Sequence, residues 1–228
     1  MKLTKLILAV SIFGAVFSGS AFGQRMMMGG GRGMASPSML ASRDDVAEEL
    51  KLTDDQKTRI KDLRTEMMQK GRDKMQEMMA NSGGERPDPE KMQGVFREMM
   101  KEADDRLKEI ISTEQYARLK ELVIQRQGNR AIADEETQKT LGMTDDQKSK
   151  VKTLMTKQRE AMQELMERMR NQEIDREEMQ NTMRKNDKIL DTELGKIMTA
   201  EQKKKLSDMG GKPFTFKEEE QRGPGGVR

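Results

Sequence analysis

The sequence predicts an all-α protein of long antiparallel helical hairpins with short capping helices, and three observations lead to this prediction. A motif typical of helix starts occurs four times. Between its copies, apolar residues recur at intervals of three and four residues, the period of an amphipathic helix. Charged residues make up 36% of the chain and aromatic residues 3%, a composition typical of disorder or of charged helices. The apolar period favours helices.

The motif consists of an aliphatic residue or Met, then Ser or Thr, two variable residues and Gln. A Ser or Thr side chain accepts a hydrogen bond from the backbone N–H three residues later, and the Gln side chain reaches back to the N–H of the cap residue. Each copy therefore predicts a capping box at the start of a helix. The four copies are formed by Leu52, Thr53 and Gln56; Ile111, Ser112 and Gln115; Met143, Thr144 and Gln147; and Met198, Thr199 and Gln202.

The first copy predicts a long helix from residue 54 to about residue 81, preceded by a short helix over about residues 39–50. Gly and Pro residues at 83–89 end the long helix. Asp88 followed by Pro89 is typical of a helix start and predicts the next helix. The N–H of the first helical residue has no partner within the helix, so Pro, which has no N–H, fits there. This second long helix is predicted to run antiparallel to the first, to about residue 110.

The same order of elements is predicted to follow. The second motif begins a helix that ends near Gly128, a linker covers residues 129–131, and a short helix ends near residue 142. The third motif begins a long helix, and a break at 171–175 precedes another. The fourth motif begins a last short helix. Residues 211–228 are predicted to form a flexible tail, in which Phe214 and Phe216 alternate and are placed to dock briefly on the helices.

The spacing of the motifs indicates an internal duplication. Thr53 and Thr144 are 91 residues apart, and Ser112 and Thr199 are 87 apart. Loss of one helical turn from the second hairpin accounts for the difference. The chain is therefore predicted to contain two helical units in tandem, residues 39–128 and 129–210, packed on each other as a monomeric pseudo-dimer. A homodimer of whole chains stays open as an alternative.

Residues 1–23 have the three parts of a secretory signal peptide. A short basic region is followed by an apolar run over residues 6–17 and then by small residues, which predicts cleavage near Gly23 and Gln24. The apolar run is shorter than the ~20 residues that a membrane span needs. The mature chain is therefore predicted to be exported, most simply to a periplasm, without stable membrane insertion. Residues 24–38 are rich in Gly and Met and are predicted to form a disordered arm.

The composition excludes several kinds of function. The chain has no Cys and no His, so disulfides, ordinary zinc sites, Cys nucleophiles and Ser-His-Asp triads cannot form. We expect no enzymatic activity and no cofactor. The 43 basic and 40 acidic residues are interspersed, without a basic block or an aromatic platform. Nucleic acid is therefore not an expected partner.

The four motifs resemble the LTxxQ motif of the Spy and CpxP family of bacterial periplasmic proteins, and the resemblance covers about residues 40–210. The first copy begins with Leu-Thr, the second with Ile-Ser and the other two with Met-Thr. The resemblance implies a signal peptide, all-helical subunits with a motif near each end, and a cradle made by two subunits. It also implies an ATP-independent chaperone or a partner of an envelope-stress sensor. Some relatives respond to zinc, which this chain without His is not expected to bind.

The 23 Met residues allow two interpretations. Met fills irregular gaps in a core, and many of these residues are at core spacing on the predicted helices. On an exposed helix surface, the same flexible thioethers repack around many apolar partners. They would then hold unfolded or misfolded exported proteins without ATP. For this second interpretation, the candidate client-binding residues are Met67, Met75, Met79, Met92, Phe96, Met162, Met166 and Met169.

Two further functions stay open. Met26, Met27, Met28 and Met34 are in the predicted arm, and thioethers without His or Cys favour Cu(I) or Ag(I), so the arm is an alternative soft-metal site. The chain could instead be a stress sensor or scaffold with one dedicated partner, such as an envelope sensor protein.

Overall fold

A computed structural model of the chain describes residues 36–81 and 89–217. The regular structure in these ranges is entirely helical, which confirms the predicted all-α class. The predicted signal peptide, and the predicted arm up to residue 35, lie outside the described residues. The helices are α1 (Pro37–Ala41), α2 (Asp44–Glu49), α3 (Asp54–Asn81), α4 (Pro89–Ile110), α5 (Thr113–Gln127), a 3-10 helix (Gly128–Ala133), α6 (Glu135–Thr140), α7 (Asp145–Arg170), α8 (Arg176–Ile197) and α9 (Ala200–Met209).

The described bounds of the long helices agree with the predicted bounds, but two short segments differ. The predicted cap Asp88 and the predicted break before it lie outside the described residues. The expected single helix over residues 39–50 is divided into two helices. Arg43 has an extended backbone and is the N-cap residue of α2. The Ser42 hydroxyl donates to the carbonyl of Met39 at 2.8 Å at the end of α1. Met39, in α1, is 45% exposed. The expected linker at 129–131 lies within the 3-10 helix.

The long helices form two hairpins, α3 with α4 and α7 with α8. In the first, Glu66 pairs with Arg106 and Lys70 pairs with Glu102. The partner number falls by four as the α3 number rises by four, so the two helices are antiparallel. Long amphipathic helices of this kind are stabilised mainly by burying their apolar faces against each other.

Each half of the chain has its own apolar core. The first core contains buried residues of α1, α2 and α5 together with the base of the α3–α4 hairpin, and Leu107 and Leu119 are fully buried in it. The second core contains the 3-10 helix and the base of the α7–α8 hairpin, where Ile132 and Leu194 are fully buried. Ile124 of α5 packs against this second core, so α5 joins the two halves.

The segment after α9 docks on the helices through Phe214 and Phe216, as their alternation predicts. Residues 211–217 have no regular secondary structure and lie against the first half of the chain, where Phe214 and Phe216 pack on the first core. We call residues 211–217 the strap. At the other end, Ser36 caps α1 by accepting from the Met39 N–H, so residues 36–38 belong to an ordered helix start rather than to the predicted disordered arm. In the described ranges, none of the helices has a stretch apolar enough to cross a membrane.

Candidate functional site

All four motifs form capping boxes in the structure. In the first, the Thr53 N–H donates to Gln56 Oε1 at 3.0 Å, and the Gln56 N–H donates to Thr53 Oγ1 at 3.2 Å. The boxes at Ser112, Thr144 and Thr199 have the same pair of bonds. The residue before each cap is buried. The buried residues are Leu52, Ile111, Met143 and Met198.

The Gln residues have a second role that the sequence alone did not predict. Gln56 Nε2 donates to Gln115 Oε1 at 2.8 Å, and Gln115 Nε2 donates back to Gln56 Oε1 at 3.2 Å. Each Nε2 also donates at 3.1 Å to the last turn of another helix, Gln56 to the Ile110 carbonyl and Gln115 to the Leu50 carbonyl. The first two motifs are therefore joined by a reciprocal amide pair that also ties α3 to α4 and α5 to α2.

The second half of the chain repeats this arrangement. Gln147 and Gln202 exchange hydrogen bonds of 2.7 and 3.0 Å, and their Nε2 atoms also donate to the carbonyls of Ile197 and Leu141. A Glu at these positions would still complete a capping box but has no N–H to donate. The occurrence of Gln rather than Glu in all four copies was the sequence signal for these pairs.

The candidate client-binding residues of the first hairpin lie on its outer part, beyond the first core. The buried residues of α3 are Ile60, Leu63 and Met67, all in its first half. In the outer part of the hairpin, Met75, Met78, Met92, Val95, Met99 and Met100 are half-buried. Met79 is 58% exposed and Phe96 is 47% exposed. We call the described outer part of this hairpin, residues 68–81 and 91–102, the first arm.

Met67 does not fit the predicted role, because it is 8% exposed and packs in the first core. The sequence gave no sign of this difference, because Met67 and Met75 both follow the apolar period of the helix. The helices of the first arm approach each other closely at Gly71, where an added Cβ would be 3.1 Å from the Met99 methyl. A side chain at this position would press on that thioether.

The second hairpin differs because its outer part is closed by a small core of its own. Leu165, Ile174 and Met179 are buried there, and Met162 and Met169 pack against them. Met166 is exposed. The structure therefore places Met162 and Met169 in a packed cluster and leaves only Met166 of the three predicted residues on the surface.

The first hairpin carries charged side chains around its apolar residues, both at its base and on the first arm. Arg106 donates to Glu66 across the hairpin at 2.6 Å, and this hydrogen bond lowers the pKa of Glu66. Lys74, Glu77 and Glu98 are exposed farther out. Near the base, an open groove between α3 and α4 is lined mainly by charged residues rather than by an apolar pocket. Its charged residues are Arg59, Asp62, Glu66, Arg106 and Glu109.

The part of the chain that the structure describes contains no group of three or more Asp or Glu side chains placed to hold a metal ion. The alternative soft-metal residues Met26, Met27, Met28 and Met34 lie outside the described residues. That alternative stays a prediction.

A family model described as a domain of unknown function (DUF4890) matches residues 30–119. No curated protein and no solved structure matches the chain. The matched segment includes the first two motifs and the first arm, and it ends within α5. The second motif pair lies beyond it.

Proposed function

We propose that this protein is an exported, ATP-independent chaperone-like protein that holds unfolded or apolar polypeptides on the first arm. One observation carries the proposal. None of the side chains described in the first arm is buried, and Met79 and Phe96 are about half exposed. The second hairpin, of similar length, closes the same region with a packed cluster.

The chemistry of the first arm suits weak and adaptable binding. Met side chains have three rotatable bonds and a polarisable sulfur, so half-buried Met residues can repack around apolar groups of different shapes. Phe96 adds a large apolar contact surface. The surrounding charges steer the encounter and add little to the lifetime of the complex. Clients would therefore be bound reversibly, without nucleotide hydrolysis.

We propose that the chain is a duplicated form of a Spy and CpxP family subunit, and its architecture supports this proposal. Each half of the chain has two LTxxQ-like motifs joined by one amide pair, as expected if one subunit of the family had been copied in tandem. In this proposal the chain is a monomeric pseudo-dimer, exported by its signal peptide. The second half supplies a scaffold, and the first arm supplies the binding surface.

The test is suppression of aggregation. A chemically denatured protein of unrelated sequence is diluted into buffer with or without the full chain, and light scattering is recorded. The double variant M79Q/F96Q removes the two most exposed apolar groups of the first arm. The matched control, M39Q/I189Q, removes two apolar side chains that are 45% and 46% exposed elsewhere.

We expect the wild-type chain and M39Q/I189Q to suppress scattering, and M79Q/F96Q to lose most of this effect while its circular dichroism stays unchanged. Full suppression by a folded M79Q/F96Q variant would contradict the proposed surface. Failure of the wild-type chain on every client tested would contradict the chaperone proposal and favour a dedicated partner.

A further inference from the structure

We propose that the groove holding the strap is a binding site for extended polypeptide segments with aromatic residues at alternate positions, and that the strap is its resident occupant. The groove is formed by α2 and α5 on the first half of the chain. It is separate from the first arm, so this inference does not depend on the function proposed above.

The first observation is that the groove binds the main chain of the strap. Gln125 Nε2 and an Arg118 guanidinium N–H both donate to the Lys212 carbonyl at 2.8 Å. The Phe214 N–H donates to Gln125 Oε1 at 2.9 Å. Gln125 thus contacts both an acceptor and a donor of the strap backbone. These contacts would be available to any extended peptide without Pro at the position of Phe214.

The far end of the strap is held in the same way. The Lys217 N–H donates to Asp45 Oδ2 at 2.8 Å, and Arg43 donates to the Lys217 carbonyl at 2.7 Å. Asp45 is a buried carboxylate that Arg43 also contacts through two hydrogen bonds of 2.9 Å. A buried charge is costly unless it is paired and hydrogen-bonded, so this pair forms a fixed, preorganised receptor for the N–H and C=O of one residue.

The second observation is that the groove holds two aromatic side chains that are two residues apart. In an extended chain, alternate side chains point to the same side. Phe214 and Phe216 both pack on the first core, with ring centroids 5.0 Å apart in an edge-to-face arrangement. The guanidinium groups of Arg126 and Arg43 lie 5.2 and 6.0 Å from the Phe216 ring centroid, within cation–π range. Thr215 between the two rings is exposed.

The third observation is that the strap is separate from the helices. It contributes no residue to any helix and follows the Gly210-Gly211 turn after α9. Backbone hydrogen bonds that give affinity, with pockets for alternate side chains that give specificity, are how extended peptides are bound in general. A tethered occupant has an effective concentration of about millimolar. It therefore lowers the apparent affinity of the groove for a competing peptide without blocking the groove permanently.

Gly211 offers a way to release the strap without changing the groove. Its φ is +62°, a conformation that residues with a side chain rarely adopt, and an added Cβ would collide with the Glu121 carboxylate. The full-chain variant G211A should therefore displace the strap while Arg43, Asp45 and Gln125 stay in place.

The probe is a fluorescein-labelled peptide with the strap sequence Lys-Pro-Phe-Thr-Phe-Lys, and its binding is followed by fluorescence anisotropy. We expect G211A to bind it at least about tenfold more tightly than the wild-type chain, as removal of a tethered competitor predicts. The same peptide with Ala in place of both Phe residues should bind G211A much more weakly. The amide signals of the strap in ¹⁵N NMR spectra report whether it has been released.

If the strap stays docked in G211A, the full-chain variant F214A/F216A replaces it, because this variant also leaves the groove residues unchanged. A folded variant with a released strap that does not bind the peptide would overturn the proposal. Equal binding of the Phe and Ala peptides would overturn the aromatic selectivity. G211A could also form dimers at high concentration, in which the tail of one copy occupies the groove of another. Dissociation of such dimers by the peptide would support the proposed binding site.

Discussion

The side-chain amides of Gln56 and Gln115 hydrogen-bond to each other, with Nε2–Oε1 distances of 2.8 and 3.2 Å. Because each of these residues also completes a capping box, one side chain both starts a helix and joins that helix to another. The pair formed by Gln147 and Gln202 does the same in the second half. The motifs are thus joints between helices, and the distance between two joints in the sequence sets the length of the hairpin between them.

The first prediction concerns this joint. In the variant Q56E, the carboxylate can still accept from the Thr53 N–H, but it cannot donate to Gln115 or to the Ile110 carbonyl. Gln115 Oε1 and the Ile110 carbonyl oxygen would then lie next to the negative charge of the new carboxylate. We expect a loss of about 1–3 kcal/mol in the free energy of unfolding, measured by urea denaturation. Q76E, at an exposed position of the same helix, is the control, and an equal urea midpoint for both variants would contradict the assigned role.

The second prediction compares the two cores. Leu107 and Leu194, 87 residues apart, are both fully buried. L107A and L194A should each lower the free energy of unfolding by about 2–5 kcal/mol, because each leaves a cavity in a packed core. I189A, which truncates a side chain that is 46% exposed, should have a much smaller effect. Similar losses in I189A and L194A would show that the second core is not packed as described.

The third prediction concerns pH and the strap. Burial raises the pKa of Asp45, but hydrogen bonds from Arg43 and from the Lys217 N–H outweigh burial and hold this pKa below its usual value of 3.8. A carboxyl group with a lowered pKa stabilises the folded state above its unfolded-state pKa, and the contribution is lost as the pH falls through the folded-state pKa. The strap should therefore stay docked at neutral pH and loosen only below about pH 3.8.

The Lys217 amide proton reports this titration directly, because it is bonded to Asp45. Its NMR shift should change with a midpoint below 3.8, and the change should vanish in D45N. A midpoint above that value would mean that burial, rather than the hydrogen bonds, dominates at this carboxyl.

The fourth prediction uses Tyr116, the only Tyr in the chain. Burial and the hydrogen bond that its hydroxyl donates to Asp104 raise the pKa of Tyr116 to about 12, against the opposing effect of Lys108. The stabilisation is present below the unfolded-state pKa near 10 and is lost as the pH rises through about 12. The phenolate absorbance should thus titrate near pH 12, and D104N should lower the midpoint. A midpoint near 10 in the folded chain would contradict the packing around Tyr116.

Local signals explain why the helix boundaries could be predicted. Thr53 and Pro89 act within one helical turn, so a cap or a proline can be recognised without knowledge of the fold. The break at Ser42 and Arg43 was missed because no Gly or Pro marks it. It arises from a Ser hydroxyl that bonds to the preceding turn.

The amide pairs and the strap depend on contacts between residues far apart in the sequence. Gln56 and Gln115 are 59 positions apart, and Lys217 meets Asp45 across 172 positions. The same holds for Met burial. Met67 and Met79 look alike in the sequence, but Met67 lies in the core at the hairpin base, whereas Met79 lies beyond that core and is exposed.

The most direct test of the account is to locate bound clients on the chain. A photo-crosslinking residue, p-benzoylphenylalanine, is placed at position 79, 96, 39 or 189 of the full chain, and each variant is irradiated with a denatured client. The four positions are similarly exposed, so they differ mainly in where they lie. We predict efficient crosslinks from positions 79 and 96, and few from 39 and 189. Equal crosslinking from all four positions, or crosslinking from 39 and 189 alone, would contradict binding on the first arm.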